Sequence, residues 1–160
     1  MTPDTSFLIG YLPYLLRQAD QTLSAPFYAV LTAEGIARSD WRVLAVLAQS
    51  GDIGVVDLAA AALSPQPTVT HALRRLEKRG LVRRTNGPDD RRQRLASITT
   101  SGAKLADRLI AEAKRLEADA LAGAGDLTDL VRQLRALTST VDARLRASDD
   151  EAKPPTVTAR

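Results

Sequence analysis

The chain has 160 residues, with 22 basic and 19 acidic side chains, one histidine, no cysteine and 4% aromatic residues. That length suits one domain with a real core and leaves little room for a separate catalytic domain. Without cysteine there are no disulfides, no thiol redox sensing and no thiolate metal site. One histidine, with no His-Glu-x-x-His spacing around it, argues against a metal cofactor, and no other cofactor is expected. No apolar stretch is long enough to span a bilayer and the amino terminus lacks a secretory pattern, so the expected location is the cytoplasm, with no membrane partner.

The first segment, from Phe7 to about Leu31, carries Leu8, Leu12, Leu15, Leu16, Ala19, Leu23, Phe27 and Leu31 at helical spacing. Pro13 predicts a helix start or kink, and Pro26 predicts a kink or break. After a turn at Gly35, Ser39 or Asp40 is a suitable N-cap for a short helix through Trp41, Leu44 and Leu47 that ends near Gly51. The alanine-rich run Val55 to Leu63 is interrupted by Ser64-Pro65-Gln66-Pro67, and two prolines are tolerated only before or within the first turn of a following helix. That helix is predicted from Gln66 to Arg79, with Val69, Leu73 and Leu76 buried and Gly80 as its stop.

Leu81 to Arg84 and Leu95 to Thr99 read as two short strands around Gly87-Pro88-Asp89-Asp90, a ribbon with a basic tip. Ser101 then caps a long helix carrying Leu105, Leu109, Ala113 and Leu116, which Gly123-Ala124-Gly125 breaks. Asp126 starts a last helix with Leu127, Leu130, Val131, Leu134, Leu137, Val141 and Leu145 on one side. Residues 149–160, with Asp149-Asp150-Glu151 and Lys153-Pro154-Pro155, are expected to be a disordered tail.

Charge is concentrated in one segment. Between Gln66 and Arg94 lie nine basic and three acidic residues, so this stretch is +6 and the remainder of the chain is −3. Such a basic segment on a mildly acidic body is the footprint of a polyanion partner. Two helices joined by a short turn and followed by a basic ribbon form a winged helix-turn-helix, whose second helix enters the major groove of double-stranded DNA. The fold class expected is therefore mainly α with a small β-ribbon wing.

With Val69, Leu73 and Leu76 turned inward, Gln66, Thr68, Thr70, His71, Arg74, Arg75 and Lys78 face outward. They mix groups that bond base edges with cations that reach phosphates. Arg91, Arg92 and Arg94 complete the DNA-binding set on the wing. His71 has no accompanying nucleophile motif and is read as a DNA contact, so no catalytic residue and no enzyme is expected.

The run Leu73-Arg74-Arg75-Leu76-Glu77-Lys78-Arg79-Gly80-Leu81-Val82, with Pro88-Asp89-Asp90-Arg91-Arg92 and Ile98-Thr99-Thr100-Ser101-Gly102, resembles the signature of the MarR family of transcription regulators. Trp41-Arg42-Val43-Leu44 fits the same resemblance, which covers about Leu8 to Leu145. Isoleucine stands at position 98 where leucine is usual. Gly87 stands where many relatives have an acidic residue, which leaves Asp90 as the acidic partner for a wing arginine.

The resemblance implies one domain over 1–148. Its DNA-binding lobe is expected at about 38–100 and its dimerisation helices at about 7–34 and 101–147. It further implies a homodimer on a near-palindromic operator, acting as a ligand-responsive repressor. Many relatives have a small-molecule pocket between the dimerisation helices and the DNA-binding lobe, and the effector expected here is a small aromatic or phenolic compound. Here Tyr11, Tyr14, Arg17 and Trp41 are candidates to line such a site, with core packing an equal reading for Trp41. The alternatives are an architectural protein that binds DNA by charge alone and a protein-interaction module with a degenerate winged helix.

Overall fold

The computed structural model describes residues 6–86 and 94–151. Contacts divide the chain into two compact units, Met1–Ala120 and Leu121–Arg160.

In the first unit, α1 (Ser6–Gly10) precedes α2 (Leu12–Ala33), which has Pro13 in its first turn as expected. Of the kink or break expected at Pro26, the break does not occur, and α2 runs through it. Pro26 removes one backbone donor, but Thr22, whose carbonyl loses that partner, is exposed and open to water. The helix ends where Gly35 adopts φ +64°, with Ile36 N–H donating to Leu31 O and Gly35 N–H to Thr32 O.

Next come α3 (Arg38–Ser50), a two-residue β1 (Ile53–Gly54), α4 (Val55–Ala61) and α5 (Gln66–Lys78). Neither Ser39 nor Asp40 caps α3: Ala37 holds the cap position without a side-chain bond, and Asp40 lies buried in the first turn. The turn between α4 and α5 passes through Leu63 at φ +48°. Pro65 precedes α5 and Pro67 falls in its first turn, where no intrahelical donor is needed.

Strands β2 (Val82–Asn86) and β3 (Arg94–Ile98) pair antiparallel, Val82 opposite Ile98 and Asn86 opposite Arg94. The sequence did not signal β1, which joins the far side of β3 with Ile53 opposite Ala96, giving the order β1-β3-β2. Two residues are too few to show alternation.

The long α6 (Thr100–Ala120) is capped by Thr99 rather than the expected Ser101: Gly102 N–H donates to Thr99 Oγ1 at 3.1 Å. Thr99 also donates its hydroxyl to Gly80 O at 2.7 Å and its N–H to Leu81 O at 3.0 Å. Gly102 must be glycine, because a Cβ there would lie 2.0 Å from Leu81 O. The Gly-Leu-Val and Ile-Thr-x-x-Gly segments are therefore two halves of one joint.

The core runs through α2 to α6. Leu31, Leu44, Leu47, Leu58, Leu73, Leu76 and Leu109 are its largest fully buried side chains. In α5 the buried stripe is Val69, Ala72, Leu73 and Leu76, one residue wider than the spacing predicted.

The second unit holds α7 (Thr128–Glu151), which begins where Asp126 accepts the Thr128 N–H at 2.9 Å. Hydrogen bonding from the Thr128 side chain and, after it, from this N–H lowers the Asp126 carboxyl below its ordinary value. The helix continues three residues into the disordered tail expected from residue 149. The rest of the expected tail, from residue 152, lies outside the described residues.

Candidate nucleic-acid interface

Burial of Val69, Ala72, Leu73 and Leu76 fixes which way α5 faces. Gln66, Thr68, His71, Arg74 and Lys78 are exposed on its outer side, as expected. Thr70 is half-buried and donates its hydroxyl to Gln66 O at 2.9 Å, which leaves its oxygen lone pairs as acceptors. Arg74 and Lys78 make no ion pair among the described residues.

Arg75 is exposed, as expected, but its guanidinium also has a partner on the protein. Its Nε donates to both carboxylate oxygens of Asp40 at 3.1 Å, its Nη2 pairs with Asp40 Oδ1, and Nη2 also reaches Ser39 Oγ at 3.1 Å. Asp40 is 4% exposed, so its charge is matched by this guanidinium rather than by water. The hydrogen bonds to Asp40 raise the Arg75 pKa further above its already high value. Nothing in the local spacing announced this contact, because its partners stand 35 residues apart.

Arg79 forks onto the carboxyl end of α2, Nη1 to Gly35 O at 2.8 Å and Nη2 to Glu34 O at 3.3 Å. The Glu34 carboxylate in turn accepts Nη1 and Nη2 of Arg108 on α6 at 2.6 and 2.9 Å. The Arg108 hydrogen bonds, with smaller help from Arg108 and Arg79 charge, hold the Glu34 carboxyl below its ordinary range. At the other end of α5, Glu77 accepts Arg84 Nε at 3.0 Å and pairs with Nη2, tying the helix to the base of the ribbon.

Of the expected wing cations, Arg91 and Arg92 lie outside the described residues, as do Gly87 and Asp90. Arg94 is placed by its backbone at the open end of β3, opposite Asn86.

Among the described residues, none of the four expected effector residues lines the grooves found along α2, α6 or α7. Tyr11, Tyr14 and Arg17 are exposed on α2 or just before it, Tyr11 stacking on Phe7 at 4.9 Å between centroids. Trp41 packs edge-on against Phe27 at 5.0 Å. The alternative reading of Trp41 as a packing residue therefore matches its surroundings. A groove of about 400 Å³ lies along α2 instead, lined by Gln21, Ala25, Tyr28, Ala29, Thr32 and Arg38. In it the Arg38 guanidinium sits 3.7 Å above the Tyr28 ring. Neither residue was singled out from the sequence.

No group of three or more metal-ligating side chains occurs among the described residues, and no described helix is long and apolar enough to cross a membrane. The α3-turn-α4-turn-α5 unit, with β2 and β3 behind it, is a winged helix-turn-helix of the transcription-regulator class. Residues 36–93 match the model of the MarR family. The crystal structure of the MarR family transcriptional regulator SPO1453 from Silicibacter pomeroyi DSS-3 superposes with a TM-score of 0.70 at 31% identity, covering 82% of this chain and 97% of that one. The chain belongs to the MarR family.

Among curated relatives, the HTH-type transcriptional regulator FarR of Neisseria gonorrhoeae is 35% identical over 94 residues, 59% of this chain and 64% of that protein. The homoprotocatechuate degradative operon repressor of Escherichia coli is 32% identical over 97 residues, 61% of this chain and 66% of that one. The chain thus spans just under two thirds of the length of these two relatives. NadR, crystallised in complex with 4-hydroxyphenylacetate, is 29% identical with a TM-score of 0.66, covering 85% of this chain and 92% of that chain. SPO1453 and FarR are named as transcriptional regulators and the Escherichia coli relative as an operon repressor.

Proposed function

We propose that this regulator is a sequence-specific repressor that binds a near-palindromic operator as a homodimer and releases it when a small aromatic acid or phenol binds. The observation that carries the reading is the outer side of α5. Gln66, Thr68, His71, Arg74 and Lys78 are exposed there on a helix whose opposite side is locked in the core. Thr70 adds an acceptor beside them. Short polar groups near the amino end and long cations farther along suit base edges and phosphates respectively. Arg91, Arg92 and Arg94 would add minor-groove or phosphate contacts from the wing.

Dimerisation is supported by apolar side chains left in water. On α2 and just before it, Tyr11, Leu12, Leu15, Leu16 and Leu23 are each about 40% or more exposed, and α7 leaves Leu130, Val131, Val141 and Leu145 at 45–61%. A monomer would carry two such stripes at a cost in solubility, whereas a two-fold partner would bury them. A two-fold dimer sets two recognition helices about 34 Å apart, one turn of DNA.

For the effector, a relative is named for a phenolic catabolic operon and NadR holds a hydroxyphenyl acid. Tyr11, Tyr14, Arg17 and Trp41 remain the proposed lining, and the Arg38–Tyr28 groove adds a cation and a phenol on the neighbouring α2–α3 surface. A ligand that favours a spacing other than one DNA turn would lower operator affinity by shifting the population of dimers. The test is selection of bound duplexes from a random pool. A paired, near-palindromic consensus is expected, and salt-dependent binding without any consensus would favour the architectural reading instead.

A further inference from the structure

The recognition helix carries two rows of cations, each spaced four residues apart, and their surroundings differ. Arg74 and Lys78 point outward with no ionic partner among the described residues. Arg75 and Arg79, though also exposed, are engaged by the protein: one grips the buried Asp40 of α3, the other forks across two carbonyls at the end of α2. The Glu34 at that end is held by Arg108 of α6, so the second anchor reaches a third helix.

From this we infer that Arg75 and Arg79 are positioning residues that set the tilt of α5 for base readout, and that their charges are not spent on phosphates. The inference rests on the regulator reading above and deepens it. A phosphate contact asks only for a cation near an oxygen, and lysine supplies that. The arrangement here asks for more. Arg79 must reach two carbonyl oxygens with one planar fork, and Arg75 must satisfy both oxygens of a carboxylate that is almost fully buried. A helix held at two points on one side cannot rotate about its axis, and rotation would carry Arg74 and the residues before it off their base edges. Base contacts tolerate such a shift poorly, whereas phosphate contacts through flexible cations tolerate it well.

Two variants separate the roles. Asp40→Asn removes a charge that lies beneath Arg75 and cannot itself touch a duplex. Arg79→Lys keeps the positive charge but loses the fork. Each is measured against a duplex enriched by the wild-type protein from a random pool and against an unrelated duplex of equal length, across a range of salt. Amide hydrogen exchange over residues 66–78 of the free protein is followed in parallel.

The expected result is a fall of about tenfold or more in preference for the enriched duplex, no change in the slope of log affinity against log salt, and faster exchange in α5 for both variants. Wild-type-like preference in Arg79→Lys would overturn the inference, since charge alone would then suffice. Tighter binding of both duplexes by Asp40→Asn would overturn it as well, because Arg75 would be a restrained phosphate contact. Should the wild-type protein enrich no sequence, the regulator reading fails by itself, and the exchange experiment still decides this one: unchanged α5 protection in both variants refutes the two anchors. Should Asp40→Asn not fold, the exposed Arg79→Lys carries the test.

Discussion

Gly102 provides a stringent test of how the DNA-binding lobe is joined to α6. Built on the backbone, an alanine Cβ at this position meets Leu81 O at 2.0 Å, Ile98 Cγ1 at 2.8 Å and Leu81 C at 2.9 Å. Two of these three atoms are backbone, so no rotamer change relieves the clash, and the start of α6 must withdraw from the α5–β2 turn by roughly 1 Å or more to restore contact distances. Overpacking of this kind costs about 1–3 kcal/mol.

The displacement also disturbs the Thr99 N–H to Leu81 O bond and the Thr99 hydroxyl bond to Gly80 O, each worth about 0.5–1.5 kcal/mol net. Partial loss of these brings Gly102→Ala to about 2–4 kcal/mol of destabilisation. At ~2–4 °C per kcal/mol for a chain of this size, the melting temperature should fall by roughly 5–15 °C. The assay is urea and thermal unfolding by circular dichroism, with Ser101→Ala, an exposed neighbour, as a control expected within about 0.5 kcal/mol of wild type. If Gly102→Ala unfolded with the wild-type midpoint, the joint between Leu81 and the start of α6 would be wrong as described.

Further outcomes follow from other sites. Leu63 is 87% exposed and sits at φ +48°. Leu63→Gly should therefore leave stability unchanged or raise it by up to about 1 kcal/mol in urea unfolding, as relief of left-handed strain outweighs added chain entropy. A clear loss would mean that this leucine packs against something. Ser97 is buried with no partner for its hydroxyl among the described residues, so Ser97→Ala should be neutral or stabilising by about 1 kcal/mol in the same assay.

Glu34 has its carboxyl lowered by Arg108, so its contribution to stability is present in full above the ordinary glutamate range and is lost as pH falls through the lower folded value. Glu34→Gln should remove that part of the acid dependence, and an unchanged acid profile would show that the pair does not contribute. Leu145→Asp on α7 should shift sedimentation toward monomer at micromolar concentration, whereas unchanged sedimentation would exclude this face from the dimer.

What the residues announced and what they concealed have distinct physical causes. The stripe of α5, its stop at Gly80 and the break at Gly123 and Gly125 were legible because each depends on a few adjacent residues, and all three glycines adopt positive φ. The ribbon strands were legible for the same reason. The cap of α6 was misplaced by two residues because Thr99, Thr100 and Ser101 all carry hydroxyls, and only the docking of Thr99 on Gly80 and Leu81 selects among them.

Pro26 does not break α2 because the cost of one lost backbone bond is small where the freed carbonyl meets water. Among site residues, the outward set on α5 came from periodicity. The pairing of Arg75 with Asp40 did not, since Asp40 lies on another helix and a charged residue in a sequence does not disclose whether its partner is a phosphate or a carboxylate. The two residues of the α2 groove that meet face to face, Tyr28 and Arg38, stand on different helices and show no joint pattern in the chain.

The central claim is that α5 reads bases with its outer side. The most direct measurement compares Arg74→Ala and Lys78→Ala on the enriched duplex, on single-base variants of it and on random DNA, at fixed and at varied ionic strength. Loss of Arg74 should cost about 1–3 kcal/mol on the enriched duplex and relax preference at one base position, as for a lost bidentate base contact. Loss of Lys78 should weaken all duplexes alike and reduce the salt slope by about one unit, as for one lost phosphate contact. Equal losses for both variants on specific and random DNA would contradict base readout by this helix and leave a protein that binds DNA by charge.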